Sequence, residues 1–212
     1  MVMVNSRRGA IARFVAAGLT ALAVLLMVAC GSSGKEPSGA SDPDVEVIGT
    51  RWATAEAANV RALVASSEAV FVARVTQELP QRTETLPGPA DRPVESRTFP
   101  ISRYEAVVES SVSGGVPAGS TVVIEQAGGE DPGDGHLVML EGDELITPGT
   151  YVFFATQKEN GSWTSAPYGR LEVTGDGSLE AAEEWQSLPA SEALDGTGLT
   201  EATGEIRSAA GE

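Results

Sequence analysis

The chain has 212 residues, and its 14 Lys and Arg against 30 Asp and Glu give a net charge of −16. That length suits one moderate domain with flexible ends rather than a multidomain enzyme, and so acidic a surface repels the phosphate backbone that dominates nucleic-acid affinity. A single cysteine excludes an internal disulfide and a thiolate zinc cluster.

At the start, Arg7, Arg8 and Arg13 form a basic segment, and Phe14 to Ala29 is apolar. The apolar stretch falls short of the ~20 residues of a spanning helix and suits a signal peptide. It ends in Leu26-Met27-Val28-Ala29-Cys30, followed by Gly31-Ser32-Ser33-Gly34. These residues resemble the lipobox of bacterial lipoproteins, with Met27 where that family usually has Leu. The resemblance implies that residues 1–29 are cleaved off, that the Cys30 thiol carries a diacylglyceryl group, and that the new amino terminus accepts a further acyl chain such as palmitate. Two or more chains anchor a protein stably where one does not. Loss of the three arginines leaves 11 basic residues against 30 acidic, a charge of −19, so lipid and not charge makes the bilayer attachment. Ser6-Arg7-Arg8 also resembles a twin-arginine export signal, but Gly9-Ala10-Ile11 stands where the hydrophobic pair belongs, and both export routes stay open.

Residues 30–44 are Gly, Ser, Pro and Asp with almost nothing apolar, a flexible spacer between lipid and domain. From Trp52 to Ser66, Ala57, Val60, Leu63 and Val64 recur at helical spacing. A β-branched and aromatic run, Ala69 to Val75, then reads as a strand buried on much of both faces. Five prolines between Pro80 and Pro100 predict a long exposed loop. Tyr104 to Glu109 alternates as a half-buried strand, the glycine-rich turn 114–119 follows, and Thr121 to Glu125 is the next strand. An acidic loop, Gly128 to Gly135, precedes a short Leu137 to Leu140 run. Pro148-Gly149 turns into Tyr151 to Ala155, and Asn160-Gly161 predicts a tight hairpin whose second arm starts at Trp163 and continues to Leu171-Glu172-Val173.

The fold class is therefore mainly β, a small barrel of five or six strands over residues 45–178 with a short N-terminal helix. Residues 179–212 read as an acidic C-terminal tail, partly helical or disordered. The order of "LVASSEAVFVARV", "YEAVVESSV", "GSTVVIEQ", "PGTYVFFAT" and "GRLEV" resembles the five-stranded OB-type barrel of netrin-like and metalloproteinase-inhibitor-like modules. Those families carry disulfides and a metal-engaging N-terminal cysteine, which this chain lacks, so the resemblance implies the fold and not protease inhibition.

Candidate chemistry is sparse. There is no Gly-x-Ser-x-Gly elbow, and His136 is the only histidine; directly after an acidic loop it reads as a solvated residue rather than a general base. Lys35 and Lys158 sit in a linker and a hairpin tip, too exposed for a Ser-Lys dyad. Glu130, Asp131 and Asp134, with Glu141, Asp143 and Glu144 nearby, offer the oxygen ligands of calcium without the EF-hand spacing. Asp131 and Asp134 are the weak metal candidates, and no cofactor is called for. Trp163 and Tyr168 on one hairpin arm offer a binding platform only if strand alternation breaks; otherwise they are core. The sequence thus points to a non-enzymatic, lipid-anchored module on the extracytoplasmic face of a cell membrane, partnered by an envelope protein or other envelope component. The competing readings are an envelope hydrolase with a carboxylate pair and a calcium-stabilised structural domain.

Overall fold

The computed structural model describes residues 45–48, 54–86 and 97–211. The expected signal peptide 1–29 and lipidated linker 30–44, with Cys30, lie outside the described residues, as do residues 49–53, 87–96 and 212.

Nine strands form one sheet, with order β1-β5-β4-β3-β2-β6-β8-β9 and β7 pairing with both β4 and β6. They are β1 (Val45–Ile48), β2 (Ala69–Leu86), β3 (Arg97–Ser113), β4 (Thr121–Glu130), β5 (Leu137–Leu140), β6 (Gly149–Gln157), β7 (Trp163–Thr164), β8 (Arg170–Val173) and β9 (Leu179–Ala181). Three short helices accompany them: α1 (Val60–Ala65), α2 (Pro189–Leu194) and α3 (Leu199–Ala210). The chain is mainly β as expected, but the sheet has nine strands rather than five or six. The additions β1, β7 and β9 have two to four residues each, too few for alternation to show in sequence. Because β7 bridges β4 at Ile124 and β6 at Thr156 and Gln157, the pairing path β2-β3-β4-β7-β6 returns to β2.

The helix expected over 52–66 is divided. Asn59 has an extended backbone and its Oδ1 accepts the Ala62 N–H at 2.8 Å, so it caps α1 and confines the helix to 60–65, after a 3-10 turn at Thr54–Ala57.

The Pro80–Pro100 segment is not one long loop. β2 runs through Pro80 to Leu86 and β3 begins at Arg97, so most of it is a long antiparallel hairpin. The register shifts between Leu79 and Arg82, leaving Pro80 and Gln81 at a bulge where no ladder donor is needed. Pro100 sits opposite Thr83, just past the end of the β3–β4 ladder, which starts at Ile101. At both places the missing N–H costs no pairing, which the proline count alone does not reveal.

Alternation along β2 and β6 divides the interior. Val70, Val72, Val152 and Phe154 face one cluster, and Phe71, Ala73, Tyr151 and Phe153 face the other. The first cluster lies under the helices, joining Val60 and Leu63 of α1 to Leu194 of α2 and Ile206 of α3. The second holds Tyr104, Val108, Ile124 and Trp163 against Phe71, with the Phe71 and Trp163 rings edge to face at 5.5 Å. The segment expected as an acidic tail is helical over α2 and α3 and supplies buried Leu179, Ala181, Ala190, Leu194, Ala202 and Ile206 to the first cluster. Its glutamates 180, 183, 184, 201 and 205 point to solvent, so an acidic composition masked an amphipathic pattern.

Candidate functional site

The strongest charge cluster grows from the outer face of β3 and β4. Arg103 and Glu125 are cross-strand partners, and the Glu125 side chain is only 2% exposed. The β2 bulge brings Arg82 beside them: its Nε and Nη2 donate to the two Glu125 carboxylate oxygens at 3.0 and 2.8 Å, a bidentate fork. Arg82 Nη2 also donates to Glu84 at 2.7 Å, and Lys158, from the β6–β7 turn, reaches Glu84 at 3.4 Å and Glu125 at 3.5 Å. The Arg82 hydrogen bond holds the Glu125 carboxyl down at about 2 and lowers Glu84 as well. Arg103 is less well served. Its buried Nε lies 3.5 Å from Glu125 without hydrogen-bond geometry and has no acceptor, and its Nη1 reaches only the Pro80 carbonyl at 3.4 Å.

Arg103 borders a cleft of about 580 Å³ whose walls are the turn Gly114–Pro117 and the hairpin Gln157–Trp163. Its floor is the start of β4. β5 pairs with residues 128–130 of that strand and β7 with Ile124 alone, so among the described residues no strand pairs with Thr121, Val122 or Val123 on the edge away from β3. The cleft thus combines free backbone edge, apolar Val116, Val122 and Val123, and a guanidinium with an unsatisfied donor. Asn160 is committed to the hairpin itself: its Oδ1 accepts from the Ser162 N–H at 3.0 Å and Oγ at 2.6 Å.

The predicted calcium ligands separate. Asp131 and Asp134 stay together on the β4–β5 loop and His136 joins them, the three offering ligand atoms within 4.8 Å of one another. His136 Nδ1 contacts Asp134, and its Nε2 lies 3.1 Å from Glu46 on β1, which runs parallel to β5. Hydrogen bonds from the His136 ring to the Asp134 and then the Glu46 carboxylate raise its pKa, and the same contact lowers that of Asp134. Asp143 does not belong to this group. It is buried, 3.1 Å from the Arg170 guanidinium, and accepts from Gln126 Nε2 at 2.7 Å; burial pushes its carboxyl up and Arg170 opposes that. Gln126 also donates to the Glu144 carbonyl at 2.7 Å and accepts the Ile146 N–H at 3.0 Å, pinning this segment from inside.

Trp163 and Tyr168 form no platform. Trp163 is buried in the second cluster and Tyr168 in the first, its ring edge to face with Trp185 at 5.8 Å. Sequence reasoning missed Glu46, whose link to His136 spans 90 positions, and Arg82, hidden in the proline-rich segment. Cys30, the lipid-attachment candidate, lies outside the described residues. No described helix is long and apolar enough to cross a membrane. No protein-family model matches this chain, and comparison with curated proteins finds no match either.

Proposed function

We propose that the chain is a lipid-anchored protein of the extracytoplasmic face of a bacterial membrane, presenting its β domain as a non-enzymatic binding or adaptor module. The observation that carries the binding reading is the β4 cleft, where an unpaired strand edge of three residues meets the under-bonded guanidinium of Arg103. Free backbone N–H and C=O groups beside apolar side chains suit an extended protein segment, which adds main-chain hydrogen bonds to a sheet edge. The lipobox-like sequence around Cys30 supports the anchor, and the Gly, Ser and Pro composition of residues 31–44 supports a spacer. The returning path β2-β3-β4-β7-β6 supports reading the sheet as an OB-like barrel, extended by β1, β5, β8 and β9. The buried carboxylates Glu125 and Asp143 are each engaged by an arginine, an arrangement that favours a structural over a catalytic use.

The test places a photo-crosslinking residue at Thr121, on the exposed floor of the cleft, in the full chain in intact cells. A matched position at Gly175, where an added Cβ meets open space, serves as the control. A discrete protein adduct from Thr121 that is absent from Gly175 and lost with Cys30→Ala is expected. Equal labelling from both positions, or none from Thr121, overturns the cleft assignment.

A further inference from the structure

We propose that the β4 cleft captures the free carboxyl terminus of a partner protein, whose last residues lie parallel to the β4 edge and whose terminal carboxylate meets the Arg103 guanidinium. The inference rests on the cleft reading above and narrows its occupant from any extended segment to a chain end.

The phase of the β3–β4 ladder decides which backbone groups the edge offers. The Val108 N–H donates to the Ser120 carbonyl at 2.9 Å, and Gly119, φ +80°, donates its N–H to the Val108 carbonyl at 2.7 Å, a glycine bulge at the start of β4. Alternating from there, Ala106–Val122 and Tyr104–Ile124 are the hydrogen-bonded pairs, so the N–H and C=O groups of Thr121, Val123 and Glu125 point away from β3. β7 runs parallel to β4, and its bridge from Trp163 to Ile124 takes the Val123 carbonyl and the Glu125 N–H. Both groups of Thr121 and the Val123 N–H are left. A parallel chain satisfies all three with two residues. The one opposite Val122 donates its N–H to the Thr121 carbonyl and accepts the Val123 N–H at its own carbonyl oxygen, and the one two positions earlier accepts the Thr121 N–H. The next place along, opposite Ile124, belongs to Trp163, and the hairpin that carries Trp163 shuts the cleft there. The occupant therefore ends at this point instead of running through.

Charge decides which end of a chain arrives. Around the shut end of the cleft, three cations, Arg82, Arg103 and Lys158, face two carboxylates, Glu84 and Glu125. Arg82 claims Glu125 through its fork, so the surplus falls on Arg103, whose side chain is 32% exposed. Among the described residues its guanidinium makes one hydrogen bond, 3.4 Å to the Pro80 carbonyl. Glu105, on the same face of β3, is engaged toward β2, where Thr76 Oγ1 donates to its carboxylate at 3.3 Å. A local positive surplus in a chain of net charge −16 complements a terminal carboxylate. An antiparallel occupant would instead bring an amino terminus to Arg103, like charge against like. In the parallel arrangement one carboxylate oxygen accepts the Val123 N–H and the guanidinium donates to the other. The last residue lies opposite Val122, whose side chain packs against the second cluster. Its own side chain points the same way, beside Val116 and Trp163 of the cleft wall, and so is apolar.

The experiment has two arms. In intact cells, adducts formed from the photo-crosslinking residue at Thr121 of the full chain are digested, and mass spectrometry locates the attachment point on the partner. Attachment among the partner's last few residues is expected. An internal attachment point overturns the chain-end proposal and leaves the cleft assignment standing, whereas no adduct from Thr121 ends both. In the second arm the full chain, purified in detergent, is titrated with two pools of dye-labelled hexapeptides ending in Val, Ile or Leu, one with free carboxyl termini and one amidated, and fluorescence anisotropy reads binding. The acid pool is expected to bind about tenfold tighter or more, the usual reach of a charge-assisted hydrogen bond. Arg103→Gln abolishes that preference, while Arg103→Lys keeps part of it, since lysine offers the charge without the fork. A merely structural Arg103 would weaken both pools alike. Circular dichroism matching the parent shows that the variants fold, and the acid–amide comparison on the parent decides if they do not. Equal binding of the two pools, an acid preference unchanged in Arg103→Gln, or no binding by either pool overturns the proposal.

Discussion

Glu125 gives the sharpest test of the charge cluster on the β4 face. Its carboxyl is held at about 2 where the ordinary value is 4.5, with the Arg82 fork as the leading cause. A carboxyl whose folded pKa lies below its unfolded one contributes stability that is complete above 4.5 and is lost as pH falls toward 2. That gap, at about 1.4 kcal/mol per pH unit, is on the order of 3 kcal/mol. Screening lowers it toward about 2 kcal/mol, because the Arg82 side chain is 32% exposed. The perturbation is Glu125→Gln, which keeps shape and removes charge. Urea unfolding of parent and variant at about pH 6 and about pH 3, at fixed ionic strength, measures the difference between them. The parent is expected to lead by about 2 kcal/mol at the higher pH, and the lead shrinks by about 1–2 kcal/mol at the lower one. Effects of the other carboxylates cancel between the two proteins. A lead that is equal at both pH values refutes the Arg82–Glu125 argument, and a variant more stable than the parent at pH 6 would mean that desolvation outweighs the fork.

Two further predictions address the fold. Gly114 has φ +77°, and a Cβ there would meet the Glu68 carbonyl at 2.3 Å and the Ala69 Cα at 2.7 Å, whereas Gly115, φ +74°, faces open space. Gly114→Ala is therefore expected to cost more than about 2 kcal/mol and Gly115→Ala only the ~1 kcal/mol of the left-handed backbone, and equal costs in urea melts would contradict the close approach. Leu194 of α2 is fully buried in the first cluster, so Leu194→Ala should lower stability by roughly 2–5 kcal/mol; a loss under about 0.5 kcal/mol would mean that α2 is detached in solution.

Local pattern made α1 legible and located segments of β2, β3, β4, β5, β6 and β8, because Val60, Leu63 and Val64 repeat at helical spacing and Tyr104, Ala106 and Val108 alternate. What pattern does not carry is pairing over distance. Pro80 reads as a strand breaker until Leu79 and Arg82 are seen to flank a bulge. In α3, Leu199, Ala202, Ile206 and Ala209 form a usable stripe, but six exposed glutamates over 180–205 drown it in composition. The site residues follow the same division. Asp131, Asp134 and His136 fall within six positions of one loop and so are visible together, while Asp143 looks like their neighbour in sequence and turns inward to Arg170, 27 positions away. Glu46 and Arg82 owe their places to strand order, which no short-range signal encodes.

The two hydrophobic clusters also differ in when they can exist. Every buried member of the second comes from residues 69–163, whereas the first needs Ala57 near one end and Ile206 near the other. On a growing chain, the side chains that pack around Phe71 are all synthesised some 43 residues before those that close around Val70, an interval of roughly 2–9 s at ordinary elongation rates. During that time the second cluster has all of its buried members, while the first still lacks those from Tyr168 to Ile206. A product truncated before α3 lacks Ala202 and Ile206, the last two buried members of the first cluster, and leaves open the side of α1 on which α3 packs. Completion of synthesis is thus recorded in the closing of one cluster, its partner across β2 having all its members well before.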